Sequence, residues 1–231
     1  MADYFKEAME FLQSRKPVDK ETYKQMEYTA RMKAFTVGGY TSLEVLQEFL
    51  EQLQEAVRNG TTKEQFREDM NQFLESNGYT GINPWKSDNI FRTNLQTAFN
   101  AGHYKAMTDE AVLKLRPYWQ YKTAGDSEVR PDHALMADRV YRADDPIWDI
   151  WYPPNGYKCR CTVVSLSAGQ VEKRGLMVYD RPPFTLDAGG KVKPMFPDKG
   201  FSGNPAKVTW KPDLSRFSPE LRKIYSSRAR K

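Results

Sequence analysis

The stretch YPPNGYKCRC at positions 152–161 constrains the fold more than any other feature, and it holds both cysteines of the 231-residue chain. Its prolines fix φ and its Asn-Gly pair tolerates a positive φ, so the backbone must turn tightly here. The alternation in YKCRCTVVSLS predicts a strand with Tyr157, Cys159, Cys161 and Val163 on one face. The sequence therefore predicts two sulfurs on the same side of a strand.

Two thiols placed in this way suggest a metal site. A disulfide between residues i and i+2 closes a small, strained ring, so we expect free thiols or thiolates. The imidazole of His133, on a predicted short helix, would add a third soft ligand for tetrahedral zinc. Asp126, Asp132, His103 or a water molecule is the candidate for the fourth position. The alternative is a pair of buried thiols beside a histidine that is hydrogen-bonded to a carboxylate.

The first hundred residues are predicted to be helical. Thr41 begins a capping box before an apolar repeat of helical spacing, and Thr61 starts a second helix directly after an Asn-Gly pair. The two helices should form an antiparallel hairpin with a very short connection. A weaker amphipathic helix is predicted over about residues 20–36, and a long helix over residues 88–107.

After the helical region, the pattern changes to strands and turns. RPYWQYKTA is typical of a strand, RVYRADDPIWDIWYPPNG of a loop, and Ser167 with Gln170 of a capped short helix. Segments rich in proline and glycine then predict an extended, loop-rich arm. The predicted fold class is α+β. Its parts are a helical amino-terminal region (1–86), a compact mixed α/β core (87–175) and an extended basic carboxyl-terminal arm (176–231).

The net charge of +5 is concentrated at the carboxyl end of the chain. Residues 207–231 hold eight basic and two acidic groups, a net charge of +6. Such a tail predicts contact with nucleic-acid phosphates or with an acidic protein surface, and the alternative is a solvated terminus. The candidate nucleic-acid-binding residues are Lys207, Lys211, Arg216, Arg222, Lys223, Arg228, Arg230 and Lys231.

The sequence gives no sign of a membrane partner or of secretion. It has no run of about 18 apolar residues, the length that spans a bilayer. The amino terminus, MADYFKEAMEFLQ, bears charges where a signal peptide would be apolar. We therefore expect the protein to be made in the cytoplasm and to have no membrane partner.

A polar set around the long helix and the RPDH segment has two interpretations. Arg92, Asn94, Asn100, Asp126 and Arg130 could surround His133 as a general base, or could tie the helix to the sheet through arginine–carboxylate pairs. The structural interpretation is favoured. No phosphate-binding glycine loop and no nucleophile pattern is present, so the sequence predicts no catalytic residue and no small-molecule substrate.

Aromatic residues interleaved with basic ones also have two interpretations. They could stack the bases of a single strand, or form a core and a protein interface. The second is favoured. The residues are Tyr118, Trp119, Tyr121, Trp148, Trp151 and Tyr152.

The segments RTNLQTAFNAGHYKAM, RPYWQYKTAGDSEVRPDHALMADRVYRADDPIWDIWYPPNGYKCRCTVVSLS and FPDKGFSGNP together resemble the phage Mu F-type minor head proteins, the phage head morphogenesis family. The helical start of the chain is similar to the amino-terminal part of its Mu-like members. The resemblance implies a structural, non-enzymatic minor capsid protein, located in the virion head of a tailed phage or prophage.

The same resemblance implies assembly in the host cytoplasm, near the portal vertex, with portal protein or major capsid protein as partners. It also implies an association with packaged double-stranded DNA, in packaging or delivery. Two other functions stay open from the residues themselves. One is a DNA-binding protein that uses its basic tail, and the other is a metal-dependent enzyme centred on His133, Cys159 and Cys161.

Overall fold

The structure, a computed structural model, describes residues 5–26, 28–186, 188–207 and 219. It has the predicted α+β fold class. The helices in these residues are α1 (Lys6–Ser14), α2 (Lys20–Gln25), α3 (Tyr28–Arg31), α4 (Leu43–Asn59), α5 (Lys63–Ser76), α6 (Pro84–Met107), α7 (Glu110–Leu115), α8 (Pro131–Ala134), α9 (Ile147–Ile150) and α10 (Ala168–Lys173). The strands are β1 (Lys16–Pro17), β2 (Ala34–Phe35), β3 (Tyr118–Lys122), β4 (Val140–Arg142), β5 (Thr162–Leu166), β6 (Phe184–Leu186) and β7 (Val192–Pro194). None of the helices just named has the length and apolar character needed to cross a membrane.

A helical hairpin of α4 and α5 is the centre of the amino-terminal part, as predicted. The Ser42 hydroxyl accepts a hydrogen bond from the backbone amide three residues on and begins α4, which ends at Gly60 with a left-handed φ of 72°. Thr62 caps α5 in the same way. The predicted caps, Thr41 and Thr61, are each wrong by one residue, because a neighbouring Ser or Thr offers the same hydroxyl to the first turn.

The first hydrophobic core joins this hairpin to α1 and to the first half of α6. A methyl group added at Gly102 of α6 would lie 2.7 Å from the backbone nitrogen of Ala8, so α1 contacts α6 directly through the backbone. The buried members of this core are Ala8, Leu12, Phe35, Val37, Tyr40, Val45, Leu46, Phe49, Leu50, Leu53, Val57, Phe66, Met70, Leu74, Ile82, Ile90 and Ala98.

The single helix predicted over residues 20–36 is wrong. The segment contains two short helices, α2 and α3, and then β2, which pairs in parallel with β1. Both residues of β2 are buried, and the Arg15 guanidinium donates from Nε to the Ala34 carbonyl oxygen at 3.0 Å. Burial and backbone pairing at a distance in sequence therefore override a weak helical pattern.

The second hydrophobic core lies on an antiparallel sheet with the strand order β4-β3-β5. β3 confirms the predicted strand, and the capping box of Ser167 and Gln170 begins α10 as predicted. The interpretation of the aromatic cluster as a core is confirmed for five of its six rings. The buried rings are those of Trp119, Tyr121, Trp148, Trp151 and Tyr152.

Two predictions for this region are wrong. β5 begins at Thr162, whereas Tyr157, the first residue of the predicted strand, is exposed. The segment predicted to be a loop contains β4 and α9. Contacts between β4 and α9 stabilise both elements: Trp148 Nε1 donates a hydrogen bond to the Arg142 carbonyl oxygen at 2.8 Å.

The carboxyl-terminal arm is anchored on both sides of an exposed hairpin. The Tyr179 amide donates to the Val140 carbonyl oxygen at 2.8 Å before the hairpin. β6 and β7 then pair antiparallel with every residue exposed. After the hairpin, Met195 is buried and Asn204 Nδ2 donates to the Trp148 carbonyl oxygen at 3.1 Å.

Helix α6 contributes to both cores and crosses the predicted boundary at residue 86. Its residues Ile90 and Ala98 belong to the first core, and Met107 belongs to the second. The division into regions 1–86, 87–175 and 176–231 stays a prediction.

Replacing Gly102 with alanine is expected to lower the free energy of unfolding by about 1–3 kcal/mol, because the new methyl group would clash with the backbone of α1. Denaturant unfolding followed by circular dichroism measures this. Gly169→Ala in α10 is the control, since a Cβ there meets nothing within 4 Å, and it should leave stability unchanged or slightly raised. Equal unfolding free energies for the two variants would contradict the close contact of α1 and α6.

Candidate metal centre

His133, Cys159 and Cys161 meet at the edge of the second core. His133 Nδ1 lies 3.7 Å from Cys159 Sγ and 3.6 Å from Cys161 Sγ. All three side chains are buried, and their ligand atoms lie within 4.8 Å of one another. The structure thus brings together the three residues that the sequence suggests as ligands. Metal binding itself stays a prediction.

Both sulfurs face the same imidazole, and a turn leads into the segment that carries them. Both cysteines precede β5, and Lys158 has a left-handed φ of 56°. The Cys159 amide donates to the Gly156 carbonyl oxygen at 3.2 Å and closes the turn. The Lys158 amide donates to Thr93 Oγ1 at 3.0 Å, so α6 holds the turn in place.

Helix α8 presents the imidazole to this turn. Pro131 occupies its first position, where the missing amide costs no hydrogen bond and the fixed φ suits a helix. The guanidinium of Arg130, just before the helix, donates to the Tyr157 carbonyl oxygen at 2.7 Å. This bond connects the start of α8 to the cysteine-bearing turn.

Hydrogen-bond donors from the core surround the sulfurs. The Tyr121 hydroxyl bonds to the Cys161 side chain, and it accepts a bond from Asn155 Nδ2 at 2.9 Å. The Cys159 sulfur accepts bonds from the backbone amides of Asn155 and Cys161. Donors of this kind stabilise a thiolate and fix its direction.

The two thiols differ in acidity because one donates to the other. The pKa of Cys159 lies well below its ordinary value, chiefly because the Cys161 thiol donates a hydrogen bond to it, with a further contribution from His133. The same bond, together with burial, raises the pKa of Cys161. The two sulfurs and the imidazole are soft donors of the kind that zinc prefers.

Helix α6 supports the site through the backbone of Cys161. Gln96 Nε2 and Asn100 Nδ2 both donate to the Cys161 carbonyl oxygen, at 3.0 and 3.1 Å. Thr162 Oγ1 donates to Asn100 Oδ1 at 3.0 Å. Gln96 was missed by sequence reasoning, and only its position one turn before Asn100 on the same helix face could have indicated its role.

The residues of the predicted polar network, Arg92, Asn94, Asp126 and Arg130, contact different partners. Arg92 pairs with Asp88 on its own helix at 2.7 Å. Asn94 accepts from Arg15 at 3.1 Å. A shared structural role for the four residues stays a prediction.

Asp126 is not placed as a fourth ligand. Its two oxygens accept hydrogen bonds from both terminal nitrogens of the Arg160 guanidinium, at 2.5 and 2.7 Å, and this pair is part-exposed. Neither nitrogen of His133 contacts a carboxylate, since Nδ1 faces the sulfurs and Nε2 is buried without a hydrogen-bond partner. The carboxylate-bound histidine of the alternative interpretation is therefore absent as well.

A cavity of about 20 Å³ opens beside the three candidate ligands. It is lined by Ala124, Glu128, Val129, Arg130, His133, Lys158, Cys159, Arg160 and Cys161. A single water molecule needs about 10–15 Å³, whereas ligand pockets measure about 300–1,000 Å³. The cavity has room for a water molecule beside the sulfurs.

The candidate nucleic-acid-binding residues lie almost wholly outside the described part of the chain. Lys207 is described, and its ammonium group forms an ion pair with Asp149. The remaining seven, outside the described residues, are Lys211, Arg216, Arg222, Lys223, Arg228, Arg230 and Lys231.

This chain matches a known protein family. The family described as phage Mu protein F like protein matches residues 47–164, which extend from within α4 to within β5 and include all three candidate ligands. The chain therefore belongs to the phage Mu protein F like family, as its resemblance in sequence implies.

Two curated relatives are similar over much of the chain. "Putative capsid assembly protein F" of Escherichia phage Mu is 33% identical over 222 residues, covering 80% of this chain and 50% of its own length. "Mu-like prophage FluMu F protein" of Haemophilus influenzae is 34% identical over 168 residues, covering 68% of this chain and 40% of its own length. The chain thus spans half or less of these relatives. No solved structure matches it.

Replacing Asn100 with alanine should lower the free energy of unfolding by about 1–3 kcal/mol, because buried partners on Cys161 and Thr162 would lose hydrogen bonds. Thermal and denaturant unfolding measure the loss. Asn89→Ala, on the same helix, is the matched control. Asn89 makes one bond, at 3.3 Å, so its replacement should change stability by less than about 0.5 kcal/mol. A similar loss in both variants would argue against a special role for Asn100.

Proposed function

We propose that this protein is a capsid assembly protein of a tailed phage or prophage, with a structural role at the portal or inner shell of the head. The observation that carries this proposal is the similarity to the phage Mu protein, whose name describes capsid assembly, across 80% of the chain. The proposed location is the virion head, after assembly in the host cytoplasm.

The exposed hairpin supports a role in contacting another head component. The register places Leu186 opposite Val192 and Phe184 opposite Pro194, so these four apolar residues share one face. We call this set the hairpin face. Phe184 is 50% exposed, Leu186 62% and Val192 56%.

A two-stranded hairpin has little stability of its own in water. Large apolar side chains grouped on one exposed face are typical of protein interaction sites. The hairpin face therefore suits a hydrophobic contact with a partner, and the portal protein is the partner we propose. Major capsid protein is the alternative that the experiment below distinguishes.

The double variant Phe184→Ser/Leu186→Ser should reduce co-purification of portal protein from induced cells by about tenfold or more, since it removes apolar anchors from the contact. Leu115→Ser is the control, because Leu115 is 73% exposed at the end of α7 and is not a member of the hairpin face. Both variants should unfold at the wild-type temperature.

If major capsid protein co-purifies with the wild type but not with the double variant, the partner of the hairpin face is major capsid protein and not portal protein. Recovery of neither protein by the wild type would contradict the assembly role.

An enzymatic role is disfavoured by the geometry of the candidate metal centre. The adjacent cavity of about 20 Å³ admits no substrate. A structural role for the three ligands, with no small-molecule substrate, is therefore our proposal.

DNA contact by the tail is a second part of the proposal, because residues 207–231 carry a net charge of +6. A chain that ends at Lys207 keeps the Asn204 anchor and the Lys207–Asp149 pair, so its fold should be preserved. The full chain should bind double-stranded DNA with an affinity that falls about 10³-fold or more between about 50 and 200 mM salt. The shortened chain should lose this binding in a filter or mobility assay. Binding that survives the truncation would assign DNA contact to another surface.

A further inference from the structure

We propose that His133, Cys159 and Cys161 bind a zinc ion, with a water molecule from the adjacent cavity as the fourth ligand. The inference concerns the second core and does not depend on the proposed assembly role. It rests on the distances between His133 Nδ1 and the two sulfurs, on the weak hydrogen-bond partners of that nitrogen, and on the adjacent cavity.

The distances match the edges of a zinc tetrahedron. With Zn–N of about 2.0–2.1 Å and Zn–S of about 2.3 Å, tetrahedral geometry separates nitrogen and sulfur ligands by about 3.6 Å. His133 Nδ1 lies 3.7 and 3.6 Å from the two sulfurs. Both sulfurs therefore lie at the spacing from one ring nitrogen that a shared tetrahedral zinc ion requires.

The histidine is poorly satisfied without a metal. It is 2% exposed, and its Nδ1 has only the two sulfurs as hydrogen-bond neighbours. Leaving a buried polar group with weak partners is unfavourable. Zinc coordination by Nδ1 replaces two weak sulfur contacts with one strong bond.

The charges and hydrogen bonds around the sulfurs suit two thiolates on a divalent cation. Two thiolates and a neutral imidazole neutralise Zn²⁺, so burial of the complex carries no net charge. The Tyr121 hydroxyl and the backbone amides of Asn155 and Cys161 supply outer hydrogen bonds to the sulfurs.

The fourth coordination position of the zinc ion is assigned from the cavity beside the three protein ligands. The cavity of about 20 Å³ touches all three ligands and has room for one water molecule. The carboxylate of Asp126 is held by Arg160, so it is not available to take that position.

The mechanical effect would be to join two irregular segments of the second core. His133 lies 26 residues before Cys159, and the ion would connect α8 to the turn that precedes β5. A metal bridge that closes a loop of this length stabilises the fold, since the unfolded chain lacks the assembled site. This explains how a loop-rich core keeps a defined shape with few strands.

The test uses the full chain expressed with added zinc and purified without chelator. Elemental analysis should give about one zinc per chain, as expected for a single site. Cys159→Ser, Cys161→Ser and His133→Asn should each reduce the zinc content to about a tenth or less. His103→Asn is the matched control, since His103 is the other histidine of the chain, and it should retain full zinc.

Cobalt supplies a readout that does not depend on the stability of the variants. Wild-type protein freed of metal and refilled with Co²⁺ should show thiolate-to-cobalt absorption and the visible bands of a tetrahedral site. Removing metal from the wild type should lower the melting temperature by about 5–10 °C, and added Zn²⁺ should restore it. Wild-type protein with no bound zinc and no cobalt–thiolate absorption would overturn the proposal, as would zinc retained in all three ligand variants.

Discussion

The carbonyl oxygen of Cys161 accepts hydrogen bonds from Gln96 and Asn100 and so connects the cysteine-bearing turn to α6. The rest of the structure depends on these two hydrogen bonds, because α6 is the helix that both hydrophobic cores share. Its first half packs on the helical hairpin, and its middle supports the turn that places the sulfurs. A shift of α6 would therefore alter the first core and the candidate metal centre together.

The candidate metal centre lies inside the segment that the family matches, whereas the candidate contact surfaces lie outside it. All three candidate ligands lie within residues 47–164, the part that the family description matches. The hairpin face and the basic tail lie beyond it. The exposed hairpin fits the proposed assembly role, because the residues of the hairpin face lie outside the buried cores.

The aromatic residues form the interior of the second core. Trp119, Trp148 and Tyr152 fill the space beside the sheet, with ring centroids about 5.6–6.4 Å apart. Large rings exclude water and leave little free volume. The cavity of about 20 Å³ beside the sulfurs is lined by other residues of this region, among them Val129 and Arg160.

Local patterns in the sequence were sufficient where the chemistry is local. The helical hairpin, the strand at Trp119, the capped helix after Ser167 and the closeness of Cys159 to Cys161 all follow from neighbours within a few residues. The exact cap at Ser42 did not, because Thr41 offers the same hydroxyl. Family membership was also recognisable from the central segments.

Tertiary structure decided the features that depend on distant partners. Asp126 pairs with Arg160 rather than approaching His133, and Ala34–Phe35 form a strand because Lys16–Pro17 lie alongside. Both sulfurs face His133 in a segment that precedes β5, and Thr93 of α6 holds the turn that leads into it. The sequence by itself thus determined which residues could be ligands. Only the packing of α6 and α8 around the turn decided that three of them meet, since spatial distance between segments is set by the whole core.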